Sequence, residues 1–215
     1  MISFFICLLA LILNMGCILG CCFVEGSFTF IQMNQDLSVV FMLDGLGKYF
    51  AVLVAFMWLV VGIYSFEYME HEENHHQFYG FYFLTLGTLN AICFSGNYMT
   101  LYCFFEFMTL LSMPLVLHSK KMEAIQAAKK YLIYSVFGAS FGLAGFFFLT
   151  HYGMSTNFTV HGVLNESLVA GNETLLLIVC LLAIIGFGAK AGMMPLHAWL
   201  PVAHPVAPSC ASSLL

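Results

Sequence analysis

The sequence has no arginine and few charged residues of any kind. All six basic residues are lysines, and 8% of the 215 residues are charged, against about 25% in soluble domains. Hydrophobic residues make up 61% of the chain, and its mean hydropathy is +0.94. This composition is typical of an integral membrane protein in contact with lipid. Without a basic patch, we do not expect nucleic acid as a partner.

The eight cysteines form no CxxC pair, the spacing by which many zinc and iron–sulfur sites are recognised. Most lie in apolar segments, so we interpret them as small apolar packing residues. The segment HEENHH, residues 71–76, resembles a metal-binding tract, but we interpret it as a solvated loop. We therefore expect no metal site, no cofactor and no redox centre in this chain.

Six stretches are long and apolar enough to cross a bilayer as helices, which takes roughly 20 residues each. Helices are expected because lipid offers no partner for unpaired backbone groups. The sequence predicts an all-α, polytopic transmembrane bundle, with an N-terminal helix and external loop in residues 1–45. Residues 46–215 form a transmembrane domain of about five further helices and the start of another. The predicted spans are residues 2–24, 46–66, 78–96, 98–118, 130–151 and 174–193.

Four of the six lysines crowd one predicted loop, as Lys120, Lys121, Lys129 and Lys130. The positive-inside rule assigns that loop to the cytoplasm. Counting spans backwards puts the N-terminus in the cytoplasm and the segments 25–45 and 152–173 outside. We therefore predict a multi-pass protein of the cell membrane. Asp44 directly precedes the second span, where an acidic side chain is suited to capping a helix.

Charge is rare inside membrane spans and is a functional hypothesis by default, and two such residues stand out here, Glu106 and Lys190. Glu106 follows Tyr98 at a distance of about 12 Å along the helix, which is close to mid-membrane. Burial disfavours the charged form of such a carboxyl group, and a nearby cation favours it. A proton-carrying group behaves in this way. A structural carboxyl bonded to a neighbouring helix is the alternative.

Lys190 lies about 23 Å along its helix if the span starts at Leu175, near the cytoplasmic side, where a lysine can reach the headgroups. Its neighbours GFGAKAG let another helix approach closely. Pro195 clashes with the carbonyl of Ala191, so we expect the helix to break there. Broken helices at membrane depth line hydrated or protein-buried cavities. The residues alone leave snorkelling and proton relay as equal alternatives.

Four further side chains are candidates for a proton path. His197 and His204 follow the predicted break, where they either extend a path from Lys190 or bond exposed carbonyls. Lys129 and Lys130 open the fifth predicted span and serve topology first. No catalytic residue is predicted.

The segment FGAKAGMMPLHAWLPVAHPVAPS resembles the most characteristic block of the antiporter-like membrane subunits. These subunits occur in respiratory complex I, in Mrp-type cation/proton antiporters and in membrane-bound hydrogenases. LDGLGKYF, YSFEYM and NYMTLYCFFEFMTLLSMPLVLH resemble earlier blocks of the same family, in the same order. The sequence from Lys190 onwards is most similar to that of the formate hydrogenlyase and hydrogenase-4 branch. The resemblance covers residues 40–215.

The resemblance implies that a membrane glutamate and a lysine on a broken helix act as a coupled pair in proton transfer. The motif match gives these roles to Glu106 and Lys190. Our depth estimates separate the two by about 12 Å, so helix tilt, a later start of the sixth span or water must close that gap. The implied function is a non-redox subunit of a redox-driven ion-translocating complex, of hydrogenase or formate hydrogenlyase type. Its partners would be other membrane subunits and a cytoplasmic redox arm.

Members of this family are longer and contain two inverted repeats of helices, each forming one half-channel. The resemblance covers the N-terminal part of that pattern, so we expect a truncated half of the fold. The chain would then be a fragment, an early-terminated product, or a subunit completed by another chain. Two alternative functions are a non-transporting subunit that scaffolds the membrane arm and a sodium/proton antiporter component of the Mrp type.

Overall fold

The computed structural model describes residues 2–34 and 37–215 and is mostly helical. The fold is an all-α transmembrane bundle with one small antiparallel hairpin at one end. In chain order the elements are α1 (Ile2–Cys21), β1 (Ser27–Gln32), β2 (Ser38–Met42), α2 (Gly45–Met69), α3 (His75–Cys93), α4 (Tyr98–Val116), α5 (Met122–Tyr152), α6 (Glu166–Val169), α7 (Glu173–Gly188), α8 (Leu200–Ala203) and α9 (Ser209–Ser212).

Each of the six predicted spans coincides with a helix, but the helices differ in how well they suit a bilayer. Within the described residues, α1, α2, α4 and α5 are long and apolar enough to cross a membrane. The 19 residues of α3 are less apolar, and α7 has 16 residues. The chain is therefore a polytopic helical membrane protein, in whose described residues four helices are long and apolar enough to be spans.

The fifth span was predicted over residues 130–151, and the helix that contains it is longer on its N-terminal side. α5 begins at Met122, so Lys129 and Lys130 lie inside the helix rather than at its first turn. Hydropathy missed this start because the early turns are amphipathic. Ala124 and Ala127 are fully buried there, while Lys129 is exposed. Packing on one face, rather than overall apolarity, stabilises the beginning of α5.

Side chains from the preceding turns cap two of the long helices. The Asp44 carboxylate accepts a hydrogen bond from the Gly47 backbone N–H at 2.7 Å, which confirms the predicted cap of α2. The buried Asn97 caps α4 by accepting from the Thr100 N–H at 2.8 Å. Such caps satisfy N–H groups that have no partner within the helix.

A β-hairpin lies where the sequence predicted an external loop. β1 and β2 pair with Ser27 opposite Met42, and both strands are rich in the phenylalanine, valine and isoleucine that favour strands. The amide of Asn97 donates to the Ser38 carbonyl at 2.8 Å. The hairpin is thereby fastened to the first residues of α4. We call this side of the bundle the hairpin end. The opposite side, where Lys120 and Lys121 follow α4, is the lysine-rich end.

Large apolar and aromatic side chains form the core of the α1–α3 half of the bundle. Leu11, Trp58, Phe78 and Tyr82 are buried together in it. The Trp58 indole N–H donates to the Tyr82 carbonyl at 3.2 Å, and the Tyr82 hydroxyl donates back to the Trp58 carbonyl. These two bonds satisfy polar groups that lipid would leave unpaired.

Glycines let α5 and α7 pack with their backbones close together in the α4–α7 half. A Cβ atom added at Gly138 would lie 2.8 Å from the Gly186 carbonyl oxygen, and one added at Gly142 would lie 3.1 Å from the Phe187 ring. Small residues at a helix interface permit this approach in membranes. The chain that follows α7 is thereby brought against α4 and α5.

Candidate functional site

The helix that leads to Lys190 ends in a hydrogen-bonded turn built around a glycine. Gly192 has a φ of +71°, a conformation that glycine adopts without a Cβ penalty. Its N–H donates to the Ala189 carbonyl at 3.2 Å, and the Met193 N–H donates to the Gly188 carbonyl at 2.9 Å. This pair of bonds is the Schellman arrangement that terminates many helices. The predicted break is present, and Lys190 lies in the turn itself.

Pro195 does not terminate the helix, contrary to the sequence prediction. It lies beyond Gly192, after the helical hydrogen bonds have already ended, and its peptide bond to Met194 is cis. The fully buried Trp199 holds the returning segment, because its indole N–H donates to the Ala189 carbonyl at 2.8 Å. The end of the helix therefore depends on a glycine and a tertiary contact.

The side chain of Lys190 points into the bundle. Its ammonium nitrogen lies 3.3 Å from the Ser112 hydroxyl and 3.5 Å from the Thr109 hydroxyl, both on α4. The same nitrogen lies 4.2 Å from the centre of the Tyr131 ring on α5. Ser112, Thr109 and Tyr131 are all buried. Lys190 is therefore turned towards neighbouring helices rather than extended to the headgroups.

Glu106 is half-buried on α4, near the middle of that helix. Its Oε1 accepts a hydrogen bond from the Tyr102 hydroxyl at 3.4 Å. On the same face of α4, Glu106 lies one turn before Thr109, whose hydroxyl contacts the Lys190 ammonium. In residues 2–34 and 37–215, however, no carboxylate oxygen lies within the 4.0 Å ion-pair distance of the ammonium. The ammonium is therefore hydrogen-bonded to hydroxyl groups of α4 and forms no ion pair with the Glu106 carboxylate.

Sequence reasoning did not single out Thr109, Ser112 or Tyr131. One signal was available, because Tyr102, Glu106 and Thr109 follow one another at spacings of four and three residues in an otherwise apolar helix. Residues at these spacings share a helix face. Tyr131 gives no such signal, since it reaches the site only through the packing of α5 against α4.

Of the two histidines proposed for a proton path, one reaches the site and one does not. The His204 ring stacks on Trp199, with ring centres 6.0 Å apart. Its Nδ1 lies 2.9 Å from the Ser212 hydroxyl, and the side chain is half-buried. His197 is exposed. His204 therefore adjoins the indole that holds the Lys190 turn, whereas His197 lies outside it.

The two lysines proposed for the path lie away from these contacts. Lys129 is exposed, and Lys130 is half-buried with its ammonium 6.0 Å from the centre of the Tyr134 ring. Tyr134 lies one turn beyond Tyr131 on α5. The Tyr134 ring lies near Lys130, whereas the Tyr131 ring lies near Lys190.

A cavity of about 670 Å³ opens at the lysine-rich end and was not expected from the sequence. His118, just past the end of α4, lines it and is 9% exposed. Within the described chain its Nε2 has no hydrogen-bond partner. Burial lowers the pKa of His118, and the nearby Glu72 opposes that shift. The His118 ring also packs edge-on against Phe78 of α3.

Two sequence families match the chain. The family described as NADH:quinone oxidoreductase/Mrp antiporter, TM, matches residues 95–215. The family described as NADH-Ubiquinone oxidoreductase (complex I), chain 5 N-terminus, matches residues 30–79. The first match includes α4, α5, α7 and the whole Lys190 turn.

Characterised relatives are several times longer than this chain. Hydrogenase-4 component B of Escherichia coli is 34% identical over 175 residues, which cover 80% of this chain and 25% of that protein. An Na(+)/H(+) antiporter subunit from Alkalihalophilus pseudofirmus is 31% identical over 161 residues, which cover 74% of this chain and 20% of that protein. The chain thus spans a quarter or less of these two relatives.

Solved structures share the fold. A chain of the Mrp complex from Dietzia sp. DQ12-45-1b superposes with a TM-score of 0.79 at 22% identity, covering 94% of this chain and 23% of that one. A chain of the membrane-bound sulfane sulfur reductase, an archaeal respiratory membrane complex, gives 0.76 at 18% identity, covering 96% and 43%. With a family match over more than half of its residues, the chain belongs to the NADH:quinone oxidoreductase/Mrp antiporter family of transmembrane proteins.

Proposed function

We propose that the chain is the proton-conducting part of a membrane subunit in a redox-driven ion-translocating complex, of hydrogenase or formate hydrogenlyase type. The observation that carries this proposal is the Lys190 ammonium, which is turned into the bundle at a helix break and is bonded to α4 one turn from Glu106. Charged groups at membrane depth are costly and mark ion pathways. The 34% identity to hydrogenase-4 component B supports the class of complex.

A change in the distance between the Glu106 carboxylate and the Lys190 ammonium drives proton exchange with the rest of the path. When the carboxylate approaches, it stabilises the ammonium, and when it withdraws, the ammonium loses its counter-charge and releases the proton. Moving one charge through 100 mV costs about 2.3 kcal/mol. A tenfold change in proton affinity is worth about 1.4 kcal/mol. A change of roughly a hundredfold in the proton affinity of Lys190 therefore suffices to move one proton against that potential. The lysine-rich end faces the cytoplasm, where a redox arm drives the change, and other membrane subunits complete the assembly.

The decisive experiment uses Glu106→Gln and Lys190→Ala in membrane vesicles that contain the assembled complex. Proton uptake is followed with a pH-sensitive dye while the driving reaction runs. Each variant should lower the initial rate at least about tenfold, because the counter-charge or the proton carrier is gone. The exposed Glu123→Gln and Lys121→Ala variants serve as matched controls and should transport normally.

Normal uptake by assembled Lys190→Ala complexes would refute proton relay and leave a non-transporting structural role. A sodium/proton antiporter is the second candidate, favoured by the 31% identity to a component of an Na(+)/H(+) antiporter. Replacing sodium with choline in the same vesicles separates the two transport functions. Uptake that continues at the same rate supports proton pumping, and uptake that stops supports antiport.

A further inference from the structure

Three neutral side chains contact the Lys190 ammonium, and none of them is the proposed counter-charge, Glu106. Thr109 and Ser112 of α4 contribute hydroxyls, and Tyr131 of α5 contributes the face of its ring. We call Thr109, Ser112 and Tyr131 the lysine cradle. Its members come from two helices, and all three contact Lys190. Glu106, one turn away from Thr109, lies outside it.

The hydrogen bonds of Ser112 define the direction of the Ser112 and Tyr131 protons, and the Thr109 hydroxyl donates to the Phe105 carbonyl at 3.2 Å. A serine hydroxyl donates one bond and accepts up to two. The Ser112 hydroxyl lies 2.6 Å from the Met108 carbonyl, an acceptor only, and 2.6 Å from the Tyr131 hydroxyl. Because the Ser112 proton goes to the carbonyl, the Tyr131 hydroxyl must donate to Ser112. The second lone pair of Ser112 then accepts from the Lys190 ammonium.

The cradle therefore accepts hydrogen bonds from the lysine and offers it none. A Lys190 ammonium donates to these hydroxyls and gains the attraction of a cation over an aromatic face. A neutral amine would lose that attraction, and its lone pair would find no donor here. The cradle thus favours the charged lysine without supplying any negative charge.

We propose that the cradle is a second docking position for the protonated Lys190, occupied when Glu106 is withdrawn, and that Ser112 and Tyr131 are positioning residues for proton release. This inference rests on the proposed function. The cradle limits how readily the separated lysine loses its proton, and so it sets the alkaline limit of transport. Without the cradle, Lys190 would be deprotonated at a lower pH and transport would fail earlier as the pH rises.

Other titratable groups near the lysine enter the design of the test. Tyr102 and Glu106 are bonded to each other on α4, two turns and one turn before Thr109. Tyr131 contacts the lysine from α5, and His204 stacks on Trp199 in the segment that follows the turn. As a control for His204, each pH profile is also recorded in a His204→Gln background.

The experiment measures proton uptake by vesicles with the assembled complex across the pH range, for Ser112→Ala and Tyr131→Leu. Each should move the alkaline limb of the profile down by about one pH unit. Ser112→Thr keeps the hydroxyl and Tyr131→Phe keeps the ring, so both should stay within about 0.3 of a pH unit of the parent. Ser140→Ala is the matched control, since Ser140 is exposed and bonds a carbonyl of its own helix.

The outcomes separate this inference from the proposed function. An unshifted limb in assembled Ser112→Ala overturns the cradle, even if Tyr131→Leu fails to assemble. If Lys190→Ala still abolishes uptake in that case, the Glu106–Lys190 relay stands without it. A shift that disappears in the His204→Gln background assigns the limb to His204 and also overturns the cradle. Normal uptake in Lys190→Ala removes both ideas together.

Discussion

The α1–α3 half and the α4–α7 half bury different interiors. In the α1–α3 half, Trp58 and Tyr82 satisfy their polar atoms on each other's backbone, and the other buried polar side chains are neutral hydroxyls that bond carbonyls of their own helices. In the α4–α7 half, an ammonium lies against hydroxyls of α4 and the ring of Tyr131. The comparison teaches that a neutral hydroxyl can be satisfied within its own helix, whereas the Lys190 ammonium enters the bundle from a helix break and bonds groups of neighbouring helices.

The two halves also pack by different means. Large aromatic side chains fill the space between α1, α2 and α3. Between α5 and α7 the backbones nearly touch at Gly138 and Gly186, with little room for any side chain. Damage to the first half should therefore lower stability, and damage to the second should change transport as well.

The largest expected effect is on stability, from Trp58→Ala in the α1–α3 half. Removing a buried aromatic side chain leaves a cavity and costs about 3–5 kcal/mol. Reversible unfolding in mixed micelles measures that loss. Complexes that do assemble should show the parental pH profile of proton uptake, because Trp58 lies outside the site. A changed profile would break the distinction between the two halves.

A smaller loss of stability with a larger loss of transport is expected from Gly138→Ala. The added methyl group would lie 2.8 Å from the Gly186 carbonyl oxygen, so α5 and α7 must separate. Overpacking of this kind costs about 1–3 kcal/mol and shifts the turn that carries Lys190. Unfolding and proton uptake are measured on the same preparation. Gly80→Ala is the control, as its added methyl group meets no atom within 4 Å, and unimpaired uptake in Gly138→Ala would contradict the prediction.

The smallest expected effect is a pH dependence at His118, which lies between the two halves. Burial lowers the pKa of His118 from its ordinary 6.5. The unfolded chain therefore takes up this proton at a higher pH than the folded chain does. The associated stability is fully present above pH 6.5 and is lost as the pH falls towards the lowered value.

Unfolding midpoints recorded above and below that pH give the measurement for His118. His118→Gln should flatten the pH dependence, and the exposed His71→Gln should leave it as in the parent. An equal slope in the parent and in His118→Gln would show that the histidine is hydrated and titrates normally.

Much of this architecture could be predicted from the sequence, since apolar length alone locates the long helices. Glu106 and Lys190 stand out because charge is costly in a bilayer, and Asp44 because its position suits a cap. The cradle could not be predicted, because Tyr131 and Ser112 meet only after α5 packs on α4. The end of α7 was assigned to Pro195 because proline breaks helices by itself, whereas the role of Gly192 depends on a positive φ that no sequence pattern displays.

The bond from the Trp199 indole to the Ala189 carbonyl restricts how the neighbouring lysine can move. This bond fixes the backbone on the N-terminal side of Lys190, and Gly192 closes the turn on the other side. The peptide chain around Lys190 therefore has little freedom to move. A change of partner must then occur by rotation about the four methylene groups of the side chain. Such a rotamer change needs no collective helix motion, which takes microseconds to milliseconds. The pace of each cycle would accordingly be dictated by whatever displaces Glu106, and not by the lysine.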